Sequence, residues 1–377
     1  MVKEKVPFLR RMAYAATTAV ILQSVWIGGG FGSGREIVEF IAKYGSFAWA
    51  SIVVSAVALA LALIPSLEIA RVFKAYDYMT WSKQFLWRFW WVFDISFIVL
   101  AWIVIAVVGA AAGYMLSDIA GIPFAVSATI VIVVVGILHF FGRKVIEAYW
   151  IVGTIGLYVM YFIIWSYVLM AVGVKAFENL RAGLYMGTFS EAIVDGFRYT
   201  LYNLCVVMPA LESVDRYKGR AESLIATLLA VLLVYGAATA IWICFMAYYP
   251  GVVGMTVPWY DILKSMGAYW ALGIYVFWIF YTLVETALGM VYAIVRRVDA
   301  QLRLRGKALG RVGEAVLSVI ILVVSIVTAQ AGLVALVAAG YGTMAWVFFG
   351  VYFLPMIAIG LPRLINPSWK REFWAKA

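Results

Sequence analysis

The chain is a succession of apolar stretches, each about as long as a bilayer is thick, joined by short polar turns. A hydrocarbon core ~30 Å thick is crossed by about 20 apolar residues in a helix. Ten such stretches can be read, at about 12–42, 46–70, 89–117, 124–141, 149–173, 190–213, 222–249, 268–295, 312–330 and 333–361. The longest polar connections, 71–88 and 296–311, leave no room for a separate soluble domain. Composition agrees, with 66% of residues hydrophobic and 13% charged. The expected fold is therefore an all-α polytopic membrane protein of ten transmembrane helices, residues 1–377 forming one membrane domain. The first apolar run is too long for a cleavable signal peptide and continues into the fold. Cys205 and Cys244 both lie in apolar stretches, which suits small core residues rather than a disulfide framework.

The basic residues orient the chain. With the N-terminus in the cytoplasm, 23 of the 29 Lys and Arg fall on inside segments, from Lys3, Lys5, Arg10 and Arg11 to Lys370, Arg371 and Lys376. Outside segments hold Lys43, Lys175, Arg181 and Lys264. This asymmetry places both termini in the cytoplasm and the protein in the plasma membrane. It also accounts for the net charge of +10 through anionic lipid, without nucleic acid.

One stretch contradicts its own helical character. Residues 28–34 read Gly-Gly-Gly-Phe-Gly-Ser-Gly. Each glycine costs a helix roughly 0.8–1 kcal/mol relative to alanine. Within a bilayer, loose backbone is tolerated where it lines a cavity or is buried in protein. The sixth stretch carries Tyr202-Asn203 at its middle and Pro209, which has no N–H to give the Cys205 carbonyl. Gly30 and Asn203 are 173 residues apart, close to half the chain. Two five-helix halves, 1–175 and 176–377, would then enter the membrane from opposite sides with discontinuous helices 1 and 6. Such paired interruptions point to the binding site of a secondary transporter. Half-helix C-termini suit a cation and N-termini an anion, so the site fits a zwitterion or a solute accompanied by Na⁺ or H⁺. A glycine packing face is the alternative, since Gly28/Gly32 and Gly30/Gly34 have the GxxxG spacing.

These motifs carry a resemblance. Gly28-Gly29-Gly30-Phe31-Gly32-Ser33-Gly34-Arg35-Glu36, with Phe40 and Gly45, resembles the first span of the YkvI-type membrane proteins. Tyr199-Thr200-Leu201-Tyr202-Asn203-Leu204 is similar to that family's sixth-span motif, and Gly340-Tyr341-Gly342 to its last span. The resemblance covers nearly the whole chain. It implies a branch of the amino acid–polyamine–organocation superfamily with a LeuT-type inverted repeat. It implies a solute cradle made by Gly28, Gly29, Gly30, Phe31, Gly32, Ser33 and Gly34 with Tyr202 and Asn203. Trp26 flanks the cradle. Related transporters hold sodium between span 1 carbonyls and span 8 hydroxyls; here the corresponding set is Ser24, Thr282, Glu285 and Thr286. A glutamate stands where a small hydroxyl residue would serve a simple sodium site.

Glu285 lies deep in span 8, and Thr282, Glu285, Thr286 and Gly289 share one helical face. An acid there is expensive and functional by default, so it is a candidate for H⁺ or Na⁺ coupling; a hydrogen-bonded structural acid is the alternative. Above the break, Arg35 and Glu39 are four residues apart, Asp195 and Arg198 three. Together with Glu36 they form a candidate extracellular gate, or else simple intrahelical pairs. His139, the lone histidine, suits packing; metal and catalytic clusters lack the residues they need. The expected function is a secondary transporter of an amino acid or small amine, without cofactor or resident metal. A ligand-sensing receptor on the same fold is the runner-up, and a channel or an enzyme is disfavoured.

Overall fold

Backbone N–H and C=O groups in lipid must bond within the protein, which leaves helices as the economical solution for these stretches. The computed structural model describes residues 7–366, and within them the elements are helices of α, 3₁₀ and π type. Lys3, Lys5, Lys370, Arg371 and Lys376, counted in the charge asymmetry, lie outside the described residues.

The first apolar stretch is cut into α1 (Phe8–Trp26), α2 (Gly29–Ser33) and α3 (Arg35–Phe40). Helix α4 (Ala48–Phe73) returns, and the short α5 (Tyr78–Leu86) follows, its first turn capped by the Asp77 carboxylate on the Met79 and Thr80 amides. Then come α6 (Trp90–Ala120), α7 (Phe124–Phe141) and α8 (Arg143–Arg181). The sixth stretch opens with α9 (Phe189–Asn203), whose Thr188 and Glu191 make a reciprocal capping box. A 3₁₀ turn leads to α10 (Val207–Ala210) and a second 3₁₀ segment. Next are α11 (Arg220–Met246), the short α12 (Pro258–Ser265), α13 (Tyr269–Arg303) and α14 (Gly310–Ala329). Residues 333–365 close the chain as α15 (Leu333–Ala335), α16 (Gly342–Phe348) and α17 (Leu361–Ile365), with π turns between them.

Among the described residues, seven helical segments are each long and apolar enough to cross a membrane. They are Ala42–Phe73, Tyr78–Ile119, Arg143–Arg181, Arg220–Met246, Tyr269–Arg303, Gly310–Ala329 and Leu333–Ile365. Of the ten expected stretches, 12–42, 124–141 and 190–213 are not among them; the first and the last of these are divided into shorter helices, and 124–141 forms the single helix α7. The protein is a multi-pass membrane protein. Its outer surface carries apolar stripes such as Val53, Val57 and Leu61 on α4, and Leu224, Leu228 and Leu232 on α11. Repeats of four residues put each set on one lipid-facing side.

Helices α4 and α9 pack closely along one another, joined by small and hydroxylated residues. The Ser51 hydroxyl donates to the Ala192 carbonyl at 2.7 Å, Thr200 donates to the Ser55 carbonyl at 2.8 Å, and Ser55 donates to the Gly196 carbonyl. At Gly196 a Cβ would stand 2.5 Å from the Ser51 backbone. Helix α1 packs along α11, and α13 lies against α1, α6 and α8. His139 is buried with Nδ1 3.0 Å from the Val135 carbonyl of its own helix and Nε2 without a hydrogen-bond partner.

A side chain at Gly196 must force the two helices apart. Gly196→Val should lower stability by about 1–3 kcal/mol, as overpacking of a tight core does. Thermal unfolding of the purified protein in detergent checks this, and an unchanged midpoint would contradict the packing described.

Candidate functional site

The core is built around one interruption. Helix α1 ends at Trp26; Ile27 (φ −81°, ψ 70°) and Gly28 (φ −112°, ψ −142°) leave the helical region, and α2 restarts the chain. One short helix later Gly34 adopts φ +86°, a left-handed conformation that favours glycine, and turns the chain into α3. The break frees backbone acceptors, and side chains take up several of them. Thr286 donates to the Val25 carbonyl at 3.1 Å and lies 3.5 Å from that of Ser24. Tyr275 and Tyr161 donate to the Gly32 carbonyl at 3.0 and 3.4 Å, and Ser33 donates to Gly30 at 2.9 Å.

The glycines permit these approaches. A Cβ at Gly28 would fall 1.9 Å from the Thr286 hydroxyl, and one at Gly30 would fall 1.9 Å from Glu36 Oε1. Gly28 is therefore a contact point as well as part of the break, and Gly30, inside α2, is a contact point.

The sixth stretch behaves differently from the first. After Asn203 it tightens into a 3₁₀ turn at Leu204–Val206, and Asn203, Leu204 and Val206 all keep right-handed helical torsions. Residues with a Cβ do not reach the torsions that Gly28 adopts as easily. The expected pair of discontinuous helices is thus one opened break and one change of pitch.

Between the two lies a cavity of about 10 Å³, room for little more than a water molecule. Trp26, Gly28, Gly29, Tyr202 and Asn203, all candidates for the solute cradle, line it. So do Glu36, Cys205, Thr286 and Tyr341. The rings interlock: Tyr202 stacks on Tyr341 at 4.4 Å, Phe40 lies 5.4 Å from Tyr202, and the Trp26 indole N–H donates to the Tyr199 hydroxyl at 2.9 Å. Phe31, Gly32, Ser33 and Gly34 stand back from the cavity wall. Phe31 is fully buried in the core, Gly32 abuts Ile279, Ser33 caps its own turn, and Gly34 makes the turn described above.

Behind the break a second polar group joins α1, α8 and α13. Ser24 and Thr154 hydroxyls are 2.8 Å apart, and Thr154 donates to Gln23 Oε1 at 2.8 Å. Glu285 is fully buried beside them, pressed on Gly153, where a Cβ would fall 2.1 Å from its Oε1. Neither carboxylate oxygen has a hydrogen-bond partner, and the same holds for Gln23 Nε2. Thr282 stands apart, donating to the Trp278 carbonyl of its own helix at 2.9 Å. The four candidates for an ion site thus divide: Ser24 and Glu285 share the α8 side, Thr286 ties down the break, and Thr282 meets none of them. No cluster of three or more His, Cys, Asp or Glu suited to a metal occurs among the described residues.

Toward the end of α3 the charged residues form a single chain. Arg35 pairs with Glu39 at 2.6 Å and donates to the Val253 and Met255 carbonyls at 3.0 and 3.1 Å. Asp195 pairs with Arg198 at 2.6 Å and accepts from the Tyr44 hydroxyl at 2.6 Å. Lys43 joins the two pairs, 3.3 Å from Glu39 and 2.9 Å from Asp195. Glu36 does not take part in this chain; its side chain turns inward to the cavity. On the opposite face Arg143 meets Glu147 at 2.8 Å and Glu212 at 3.1 Å, and Tyr292 donates to Glu212. The cavity is thus flanked by ionic networks on both sides.

Several of these residues had no clear sequence signal. Lys43 lies beyond the first apolar stretch, Cys205 reads as core, and Tyr341 belongs to a weak motif.

Comparison with known proteins fits this arrangement. The chain is similar in structure to a Na⁺-coupled sialic acid symporter in a substrate-bound outward-open state, with TM-score 0.66 and 13% identity. The match covers 97% of this chain and 84% of that one. It is also similar to a manganese transporter from Eremococcus coleocola, with TM-score 0.65, 14% identity, and coverage of 97% and 86%. At such identity the likeness is one of fold. No protein-family model matches the chain, and no curated protein does.

Cys205 reports on the cavity from inside. In a Cys244→Ala background it should react slowly with a small thiol reagent. Lys43→Gln removes the cation joining Glu39 to Asp195, a partly exposed link worth about 0.2–1 kcal/mol. Labelling of Cys205 should then accelerate by roughly 1.4- to five-fold. An unchanged rate would show that this network does not hold the cavity shut.

Proposed function

We propose that this protein is a secondary active transporter, not an enzyme, that moves a small organic solute by alternating access coupled to H⁺ or Na⁺. The solute class is an amino acid or small amine. The observation that carries this reading is a broken helix with an unpaired buried carboxylate on each side. Glu36 faces the cavity and Glu285 lies behind the break, and neither has an ion-pair partner among the described residues. Ionisable groups inside a membrane protein are costly and mark solute or ion pathways.

The 5+5 inverted repeat of the LeuT type, with the halves near 1–175 and 176–377, is supported by the order of elements. A divided helix, a long helix, a short helix and three more spans occur as α1–α3, α4, α5, α6, α7 and α8. They recur as α9–α10, α11, α12, α13, α14 and residues 333–365. Packing follows the same exchange. Contact of α1 with α11 is matched by α9 with α4, contact of α6 with α14 by α13 with α7, and contact of α1 with α8 by α9 with α16. Membership of a YkvI-type branch of the amino acid–polyamine–organocation superfamily rests on the glycine and Tyr-Asn motifs. The basic asymmetry supports a plasma-membrane protein with cytoplasmic termini. The Lys43 network then lies outside and the Arg143 network inside, as the two gates that alternating access requires.

Within this reading Glu285 is the coupling group. By the resemblance it stands where related sodium sites have a small hydroxyl residue, and Thr286 bonds the Val25 carbonyl directly, which supports the acid itself as the group that takes the cation or the proton. The test begins with a thermal-shift screen of amino acids, amines and nucleobases, with and without Na⁺ and across pH. A binder then goes into uptake assays in proteoliposomes. The wild type should accumulate it down an imposed Na⁺ or H⁺ gradient. Glu285→Gln should lose gradient-driven accumulation by about ten-fold or more while still exchanging solute, the loss of ~1.4 kcal/mol or more of coupling. Unchanged accumulation by Glu285→Gln would remove it from the coupling role. Binding without any uptake by the wild type would make the protein a sensor.

A further inference from the structure

The cavity contains a carboxyl group that pairs with no Lys or Arg among the described residues. Glu36 enters from α3, on the far side of the break, and folds back over Gly30, where only the missing Cβ makes room for its carboxylate. Its Oε2 has no hydrogen-bond partner, and the residue is 4% exposed. The neighbouring cations are committed elsewhere. Arg35 is held by Glu39 and by the carbonyls of Val253 and Met255; Arg198 is held by Asp195 and lies 5.9 Å over the Phe40 ring. No Lys or Arg is among the residues lining the cavity. The remaining wall is aromatic and polar: the Tyr202 hydroxyl and the Asn203 amide face the Glu36 carboxyl, the Tyr202 ring stacks on Tyr341, and Trp26 closes the side.

We infer that Glu36 is the counter-charge of the solute, and that the solute is an organic cation with an ammonium or guanidinium group and no carboxylate of its own. This rests on the cavity being the solute site of a transporter, and it narrows the solute class. A buried carboxylate needs a paired, hydrogen-bonding cation to offset its desolvation. Aromatic faces add attraction for the same charge. A zwitterionic amino acid fits poorly, because its carboxylate has no basic side chain to meet. The space over Gly30, beside the opened backbone, already holds the carboxylate of Glu36, and like charges at that distance repel.

Matched pairs of probes test this in purified full-length protein in detergent, without any gradient: tyramine and tyrosine, isoamylamine and leucine, agmatine and arginine, putrescine and ornithine. Calorimetric binding should find at least one amine that binds ten-fold or more tightly than its amino acid. Glu36→Gln should weaken that amine by about 10- to 100-fold, the range for a charge-assisted hydrogen bond. Tyr202→Phe, which keeps the charge, should weaken it less. Glu36→Asp, which moves the carboxylate back by one methylene, should fall between wild type and Glu36→Gln and serves if Glu36→Gln does not fold. The assignment is overturned if the amino acids bind as well as the amines, if no amine binds at 10 mM, or if a folded Glu36→Gln binds the amine within three-fold of wild type. An amine that binds but is never accumulated by proteoliposomes would sink the transport reading and leave the cation site standing. Accumulation of an amino acid with the amines inert would do the reverse.

Discussion

Two residues, Ile27 and Gly28, leave the helical region in the middle of the membrane, and the rest of the core answers to that. Backbone acceptors released in a medium without water must be satisfied by the protein. Thr286 of α13 reaches the Val25 carbonyl, and tyrosines of α8 and α13 reach that of Gly32. These bonds tie the broken helix to α8 and α13. They also bring Glu285, the neighbour of Thr286, against Ser24 and Gly153. The second turn, at Gly34, then carries Glu36 back over Gly30. Both buried acids owe their positions to the same interruption.

The two acids differ in company. Glu285 sits beside the Ser24 hydroxyl and Gly153, with the stacked Tyr149 and Tyr281 nearby and no cavity of its own among the described pockets. Glu36 sits among rings and a phenol. The first setting suits a small ion or a proton, the second an organic cation. If both are cation sites, as proposed, their separation by the single break at Ile27 and Gly28 is an economical basis for coupling: occupancy of either side bears on the same torsions. The ionic chain from Arg35 to Arg198 ends on α9, so the outer closure is tied to the same helix that carries Tyr202.

The apolar stretches, the break near Gly30 and the pairs Arg35–Glu39 and Asp195–Arg198 were all legible in the sequence. Each depends on composition or on spacing of three or four residues along one helix. What was not legible depends on contacts between distant segments. Glu36 stands between Arg35 and Glu39 in sequence, and grouping it with them was natural. Consecutive helical residues point about 100° apart, however, and the left-handed turn at Gly34 sets which one faces inward. Lys43 joins the two pairs only because α9 is folded against the end of α3. The glycine run read as backbone laid bare for a ligand. Much of it instead meets side chains, Gly28 against Thr286 and Gly30 against Glu36, which no pattern within the run announces. The Tyr202-Asn203 motif marked the right place in the sixth stretch, but the chain there tightens its pitch where opening was expected.

The smallness of the central cavity bears on leakage. A carrier that returns empty risks dragging water and ions with it, and a file of water molecules conducts protons. Space for about one water cannot hold such a file. Under the proposed transport reading, the close packing of Tyr202, Tyr341 and Trp26 around that space therefore blocks proton leakage through the centre of the protein, with no need for a dedicated plug.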